Sequence, residues 1–241
     1  MSDAAGTADE ARQGPRGRRE VGPDLYGLVL VLLSVSYVLF AVSSGTWAQV
    51  AVAVLLLGSL VLAVRTSVPS PRMRTLVRTV VGVGLVATVV ALVLLPERDA
   101  VAVVDATLAA VVCFTLVVVL ARVLEQRAVT LRSIAAALSG YLLLGIMFTH
   151  VFGVVAWLDP PFFADGAPSD GRSLQYFSFT TLTTLGYGDL TAATYAGRGL
   201  ATFEALLAQI YLVTIVARLV AAWRGPSSPS PSGDEREERG A

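Results

Sequence analysis

The sequence predicts an all-α membrane protein: six transmembrane helices, with a short re-entrant helix and a loop dipping between the fifth and the sixth. Three observations carry that expectation. Hydrophobic residues make up 55% of the 241 residues and charged ones 15%, well away from soluble globular usage. Six stretches, roughly 24–43, 47–64, 75–95, 100–121, 133–158 and 197–223, approach or exceed the ~20 apolar residues that cross a hydrocarbon core of about 30 Å. Between the last two lies 173–184, half apolar and too short to cross. Such a segment is tolerated at depth only where protein buries it or water fills the space.

The elements follow in order. Residues 1–22 are polar and rich in Gly and Arg, and are expected to be a disordered cytoplasmic tail. Arg18-Arg19 ahead of an apolar run, with Ala41-Val42-Ser43 after it, loosely fits a cleavable signal. The run from Leu25 to Val42 is longer than the usual 7–15-residue core of such signals, so it is read as the first span. Turn or charge signals separate the spans: Ser43-Ser44-Gly45, Val68-Pro69-Ser70-Pro71, Pro96-Glu97-Arg98-Asp99 and Arg122 through Arg132. Residues 23–128 thus form a four-helix region, whose fourth span, from Val101 to Ala121, holds no Arg and one acid, Asp105. That excludes the Arg-rich helix of a voltage sensor. Asp159-Pro160-Pro161 then opens an outer stretch rich in Gly, Pro and Asp. Asp170 is a good N-cap for the short helix, which is expected to run toward Thr183. The tail 225–241 is expected to be disordered and is too short for a folded ligand-binding domain.

All eighteen basic residues are Arg, and fifteen of them fall on one side of the predicted topology. The other side holds Arg98, Arg172 and Arg198, which puts both termini in the cytoplasm of a multi-pass cell-membrane protein. A net charge of zero suggests no nucleic-acid partner. The lone cysteine, Cys113, cannot form an intrachain disulfide. One His and one Cys leave no zinc cluster and no nucleophile–base pair, so neither an enzyme nor a cofactor is expected. Three ionisable residues lie inside spans and merit notice. Glu204 either hydrogen-bonds the short helix or is protonated and buried; His150 is read as a packing residue and Asp105 as structural.

The most informative stretch follows the short helix. Thr184-Leu185-Gly186-Tyr187-Gly188, with Asp189 behind it, resembles the Thr-Val-Gly-Tyr-Gly selectivity filter of the potassium-channel superfamily. From about Ser133 to Trp223 the chain resembles that superfamily's pore module, and with four spans ahead of it is similar to six-transmembrane bacterial potassium channels. The resemblance implies that 129–224 is a pore domain of outer helix, pore helix, filter and inner helix. It implies a homotetramer in membrane lipid that passes K+, the transported ion, between backbone carbonyls of Thr184, Leu185, Gly186 and Tyr187. Gly188 then shapes the outer mouth, and Tyr187 packs against the pore helix. Thr183, Asp189 and Glu204 support the filter and its entrance. Ala208, Leu212 and Val216 line the inner cavity or, at Ala208, form a hinge. No soluble ligand domain is implied. Two departures stand out: Leu185 where Val or Ile is usual, and Ala208 where a Gly hinge is common. A less selective monovalent cation channel remains an alternative, because Leu185 changes the packing behind the filter. A secondary transporter would call for repeated halves with broken helices, and none is visible.

Overall fold

The computed structural model describes residues 26–42, short pieces between 55 and 62, 71–125 and 130–223. Six helices are named among them: α1 (Tyr26–Val42), α2 (Pro71–Leu94), α3 (Glu97–Glu125), α4 (Leu131–Leu158), α5 (Gly171–Leu182) and α6 (Tyr195–Trp223). Apart from one antiparallel bridge, the described residues contain no β structure. The fold is all-helical.

Among the described residues, three helices are long and apolar enough to cross a membrane: Glu97–Ala121, Ser133–Leu158 and Tyr195–Arg218. Tyr26–Val42 and Val81–Leu94 are shorter apolar helices. α1 is described over 17 residues, while the first half of α2 carries Arg72, Arg74 and Arg78, which leaves its apolar part short. The expected span 47–64 lies largely outside the described residues, as do the tails 1–22 and 225–241. One boundary differs from expectation. The charged run after Pro96 is not a loop: Glu97 and Asp99 form the acidic first turn of α3. Negative charge is favourable at a helix N-terminus, so the break narrows to Leu95-Pro96.

α4 is the centre of the arrangement. It packs against α1, α3, α5 and α6, while α2 reaches the rest through α3. Its start is a capping box, in which Thr130 and Ser133 bond each other's backbone N–H. Its middle is buried on Ala136, Ala137, Leu143, Leu144, Phe148 and Phe152. Two glycines let neighbours come close. A Cβ on Gly145 would lie 2.7 Å from Phe179 Cζ, and one on Gly140 would collide with the Tyr211 hydroxyl. That hydroxyl donates to Ala137 O and ties α6 to α4. At the far end, Arg98 donates to Trp157 O (3.1 Å) and Trp157 Nε1 donates to Asp99 (2.9 Å), clasping α3 to α4.

Candidate functional site

α5 is a 12-residue helix that begins and ends for identifiable reasons. The Asp170 carboxylate accepts from Ser173 N at 2.8 Å, an N-cap. Its inner face buries Leu174, Phe177, Phe179 and Leu182. Phe177 joins Phe152, Phe162 and Phe163 in an aromatic cluster with centroids 4.9–5.7 Å apart. The outer loop is pinned beneath this cluster: Ala164 N bonds Thr191 O (2.9 Å) and Ala193 N bonds Phe162 O (2.7 Å). Tyr37 of α1 meets Phe179 with ring centroids 4.4 Å apart and planes tilted by 46°. A helix too short to stand alone is therefore held along its buried face.

The last four carbonyls of a helix lack partners within it. In α5 each is met. Phe179 O accepts from Thr183 N (3.0 Å) and from the Thr183 hydroxyl (2.7 Å). Thr181 O accepts from Thr184 N at 3.0 Å. Leu182 O accepts from the Tyr141 hydroxyl of α4 at 2.9 Å. Thr180 O takes two donors, Leu185 N at 2.9 Å and Gly186 N at 3.1 Å.

That pair of hydrogen bonds decides where the loop's oxygens face. In a planar trans peptide the N–H of one residue points opposite to the C=O of the residue before it. With the amides of Leu185 and Gly186 turned back onto Thr180, the carbonyls of Thr184 and Leu185 point away from α5. Residues 183–189 are all exposed in the single chain, so those oxygens face open space.

Three residues here take positive φ: Thr184 (58°), Gly186 (48°) and Gly188 (80°). Glycine accepts this readily, whereas a β-branched threonine does so only under constraint. At Thr184 the constraint is visible in the amides on either side, bonded to Thr181 and Thr180. Strained backbone of this kind clusters at functional sites.

The remaining predicted residues fall into groups. Asp189 accepts from the Tyr176 hydroxyl at 2.9 Å, which fixes the loop's outer end to α5. Arg198 Nε bonds Ala192 O at 2.9 Å just beyond it. Tyr187 is 68% exposed in the single chain. Glu204 is fully buried on α6 and its Oε1 lies 2.6 Å from Ser178 Oγ, which also lies 2.9 Å from Gly145 O. One hydroxyl proton cannot serve both acceptors, and Glu204 Oε2 has no partner among the described residues.

On α6, Leu212 and Val216 are exposed, but Ala208 is fully buried against the other helices. Ala208 therefore faces the core of the single chain, where its small side chain suits a close helix contact. Tyr141, Gly145 and Ser178, which brace α5 from behind, had no sequence signal, because the contacts link positions 26 to 41 residues apart. The structure also joins two residues read separately: His150 Nδ1 lies 2.8 Å from Asp105 Oδ1. No group of three or more metal-ligating side chains occurs among the described residues.

Residues 138–224 match a family described as ion channel. Two-pore potassium channel 4 of Arabidopsis thaliana is 38% identical over 71 residues, 30% of this chain. The chain covers 20% of that protein's length. No solved structure matches.

Proposed function

We propose that this chain, an ion-transporting membrane protein whose residues 138–224 support membership of the potassium-channel superfamily, is one subunit of a homotetrameric K+-selective channel. The observation that carries the reading is the direction of the loop's oxygens. Thr184 and Leu185 turn their carbonyls away from α5, and positive-φ glycines at 186 and 188 let the backbone beyond continue as a strand of alternating conformation. Rings of such oxygens replace the hydration shell of a dehydrated K+.

One loop surrounds an ion on one side only. Four copies about one axis close the ring, and each then covers the exposed filter of its neighbours. α6 supports the same assembly. Phe203, Leu206, Ile210, Val213 and Val216 remain exposed in the single chain, a longer apolar face than one subunit buries. In this arrangement Leu212 and Val216 line the inner cavity, Asp189 borders the outer entrance, and Glu204 braces the filter through Ser178. Both termini are cytoplasmic, and α1, α2 and the segment around residues 47–64 complete a six-span layout with α3, α4 and α6. A less selective cation channel is the second reading, favoured by Leu185, whose exposed side chain departs from the usual residue.

The test is Gly186→Ala. A Cβ there meets nothing within 4 Å, so the penalty is conformational rather than steric. At φ 48° it amounts to roughly 1–2 kcal/mol per chain, and four copies add to about 4–8 kcal/mol. Selective K+ flux into liposomes is expected to vanish while native mass spectrometry still detects a tetramer. Undiminished selectivity in the variant, or a monomer or dimer as the conducting wild-type species, would falsify the proposal.

A further inference from the structure

We propose that Tyr141 is a positioning residue for ion selectivity: its hydroxyl stops α5 from winding on into the filter, an inference that rests on the channel reading above. The hydroxyl donates to Leu182 O at 2.9 Å and so joins α4 to the last residue of α5 across 41 residues. Tyr141 is half-buried, and the Tyr211 ring of α6 backs it, with centroids 6.0 Å apart and planes tilted by 38°. One turn further along the same face of α4, Gly145 admits the Leu182 side chain; a Cβ there would lie 3.1 Å from Leu182 Cδ2. Leu182 is itself 1% exposed, so bulk water does not serve its carbonyl.

The last four carbonyls of α5 are not equivalent. Those of Phe179, Thr180 and Thr181 are met by amides that follow them in the chain: Thr183 N, then Leu185 N with Gly186 N, then Thr184 N. Leu182 O is met instead from another helix. Every amide from Thr183 to Gly186 is thus committed to an earlier carbonyl, and none is spare for Leu182 O. The tyrosine hydroxyl is what allows this division of partners.

Without that hydroxyl, Leu182 O becomes a buried carbonyl with no donor, and the backbone gains by satisfying it. The nearest donor in the chain to change sides is Gly186 N. It shares Thr180 O with Leu185 N and makes the longer of the two bonds, 3.1 Å against 2.9 Å. Leu182 and Gly186 also stand four positions apart, the separation of an α-helical hydrogen bond. Moving the bond from Thr180 O to Leu182 O therefore continues α5 into the filter. The Gly186 N–H and the Leu185 C=O belong to one planar peptide, so turning the first turns the second. The Leu185 carbonyl leaves its ring, and the site discriminates less between K+ and Na+. Glu204 and Ser178 act on the body of α5 and do not touch this choice of partner.

The experiment compares wild type, Tyr141→Phe and Tyr211→Phe as full-length protein. Each substitution removes one hydroxyl that donates to a backbone carbonyl, but the Tyr211 hydroxyl bonds α4 and not α5. In planar bilayers the K+ over Na+ permeability ratio is expected to fall about fivefold in Tyr141→Phe, the factor that one net hydrogen bond is worth. Tyr211→Phe is expected to keep the ratio within about twofold of wild type, since it loses a bond of the same kind away from the filter. A second readout needs no conduction. Wild type and Tyr211→Phe are expected to melt at a higher temperature in K+ than in Na+, because an ion bound to the folded state stabilises it; Tyr141→Phe is expected to lose most of that difference. Tyr141→4-aminophenylalanine restores an N–H donor and is expected to restore both readouts, and it carries the test should Tyr141→Phe fail to assemble. A wild-type ratio in Tyr141→Phe, an equal fall in Tyr211→Phe, or lost selectivity in the aminophenylalanine protein would overturn the proposal and leave the channel reading standing. A wild type that neither selects K+ nor melts higher in K+ would overturn the channel reading and this inference with it.

Discussion

Replacing Glu204 separates its role as a spacer behind the filter from its role as a charge. The side chain is fully buried and reaches Ser178 at 2.6 Å. Glu204→Ala removes that hydrogen bond, worth about 0.5–1.5 kcal/mol net. It also opens a cavity between α5 and α6; large-to-small changes in packed cores cost roughly 2–5 kcal/mol. Deleting the unpartnered Oε2 returns part of this, about 1–3 kcal/mol. The balance is a loss of about 2–3 kcal/mol per chain. Glu204→Gln keeps the shape, and its amide can donate to Ser178 Oγ while Ser178 donates to Gly145 O. It is expected to remain within about 1 kcal/mol of wild type. The assay is thermal unfolding of the detergent-solubilised protein, followed by K+ against Na+ flux in liposomes. An alanine variant as stable and selective as wild type would refute the bracing role. A glutamine variant as damaged as the alanine one would show that an ionised carboxylate is required.

Two further outcomes follow from the packing and from α3. Gly145→Ala places a Cβ 2.7 Å and 2.8 Å from Phe179 and 3.1 Å from Leu182, and is expected to lower stability by about 1–3 kcal/mol and impair flux. Gly82→Ala, where a Cβ meets nothing within 4 Å, is the control and is expected to be neutral or stabilising by up to about 1 kcal/mol in a melting assay. Voltage is expected to change open probability only shallowly. A full charge crossing the field is worth about 2.3 kcal/mol per 100 mV, yet between Ala100 and Ala121 α3 carries a single charged residue, Asp105, bonded to His150, and its other charges, Glu97, Arg98, Asp99, Arg122 and Glu125, sit at its two ends. Planar-bilayer recordings from about −100 to +100 mV with a steep sigmoidal curve would contradict this.

How legible the molecule was in its sequence depended on the range of the forces involved. α3, α4 and α6 were readable because each is a long apolar run, and α5 because Asp170 caps it and its length cannot span. The positive-φ positions at Gly186 and Gly188 were readable as glycines in a motif; the one at Thr184 was not, since nothing local demands it and the bonds to Thr180 and Thr181 impose it. The break after Pro96 was overdrawn because Glu97 and Asp99 read as loop charges, whereas a helix start accommodates them. Ala208 read as a hinge or lining position from its place on α6, and burial is set by the neighbours it meets. The pairs Asp105–His150, Ser178–Glu204 and Tyr141–Leu182 join residues far apart in sequence, and no periodicity marks them.

The central claim is that the loop 184–188 passes K+ in preference to Na+. Reversal potential across a planar bilayer holding the purified wild-type protein tests it most directly, with K+ on one face and a tenfold lower K+ concentration made up with Na+ on the other. A K+-selective filter sets the reversal potential near the K+ equilibrium value, about 59 mV from zero for a tenfold gradient. A value near zero would mean that Na+ passes as readily as K+, and would contradict the account.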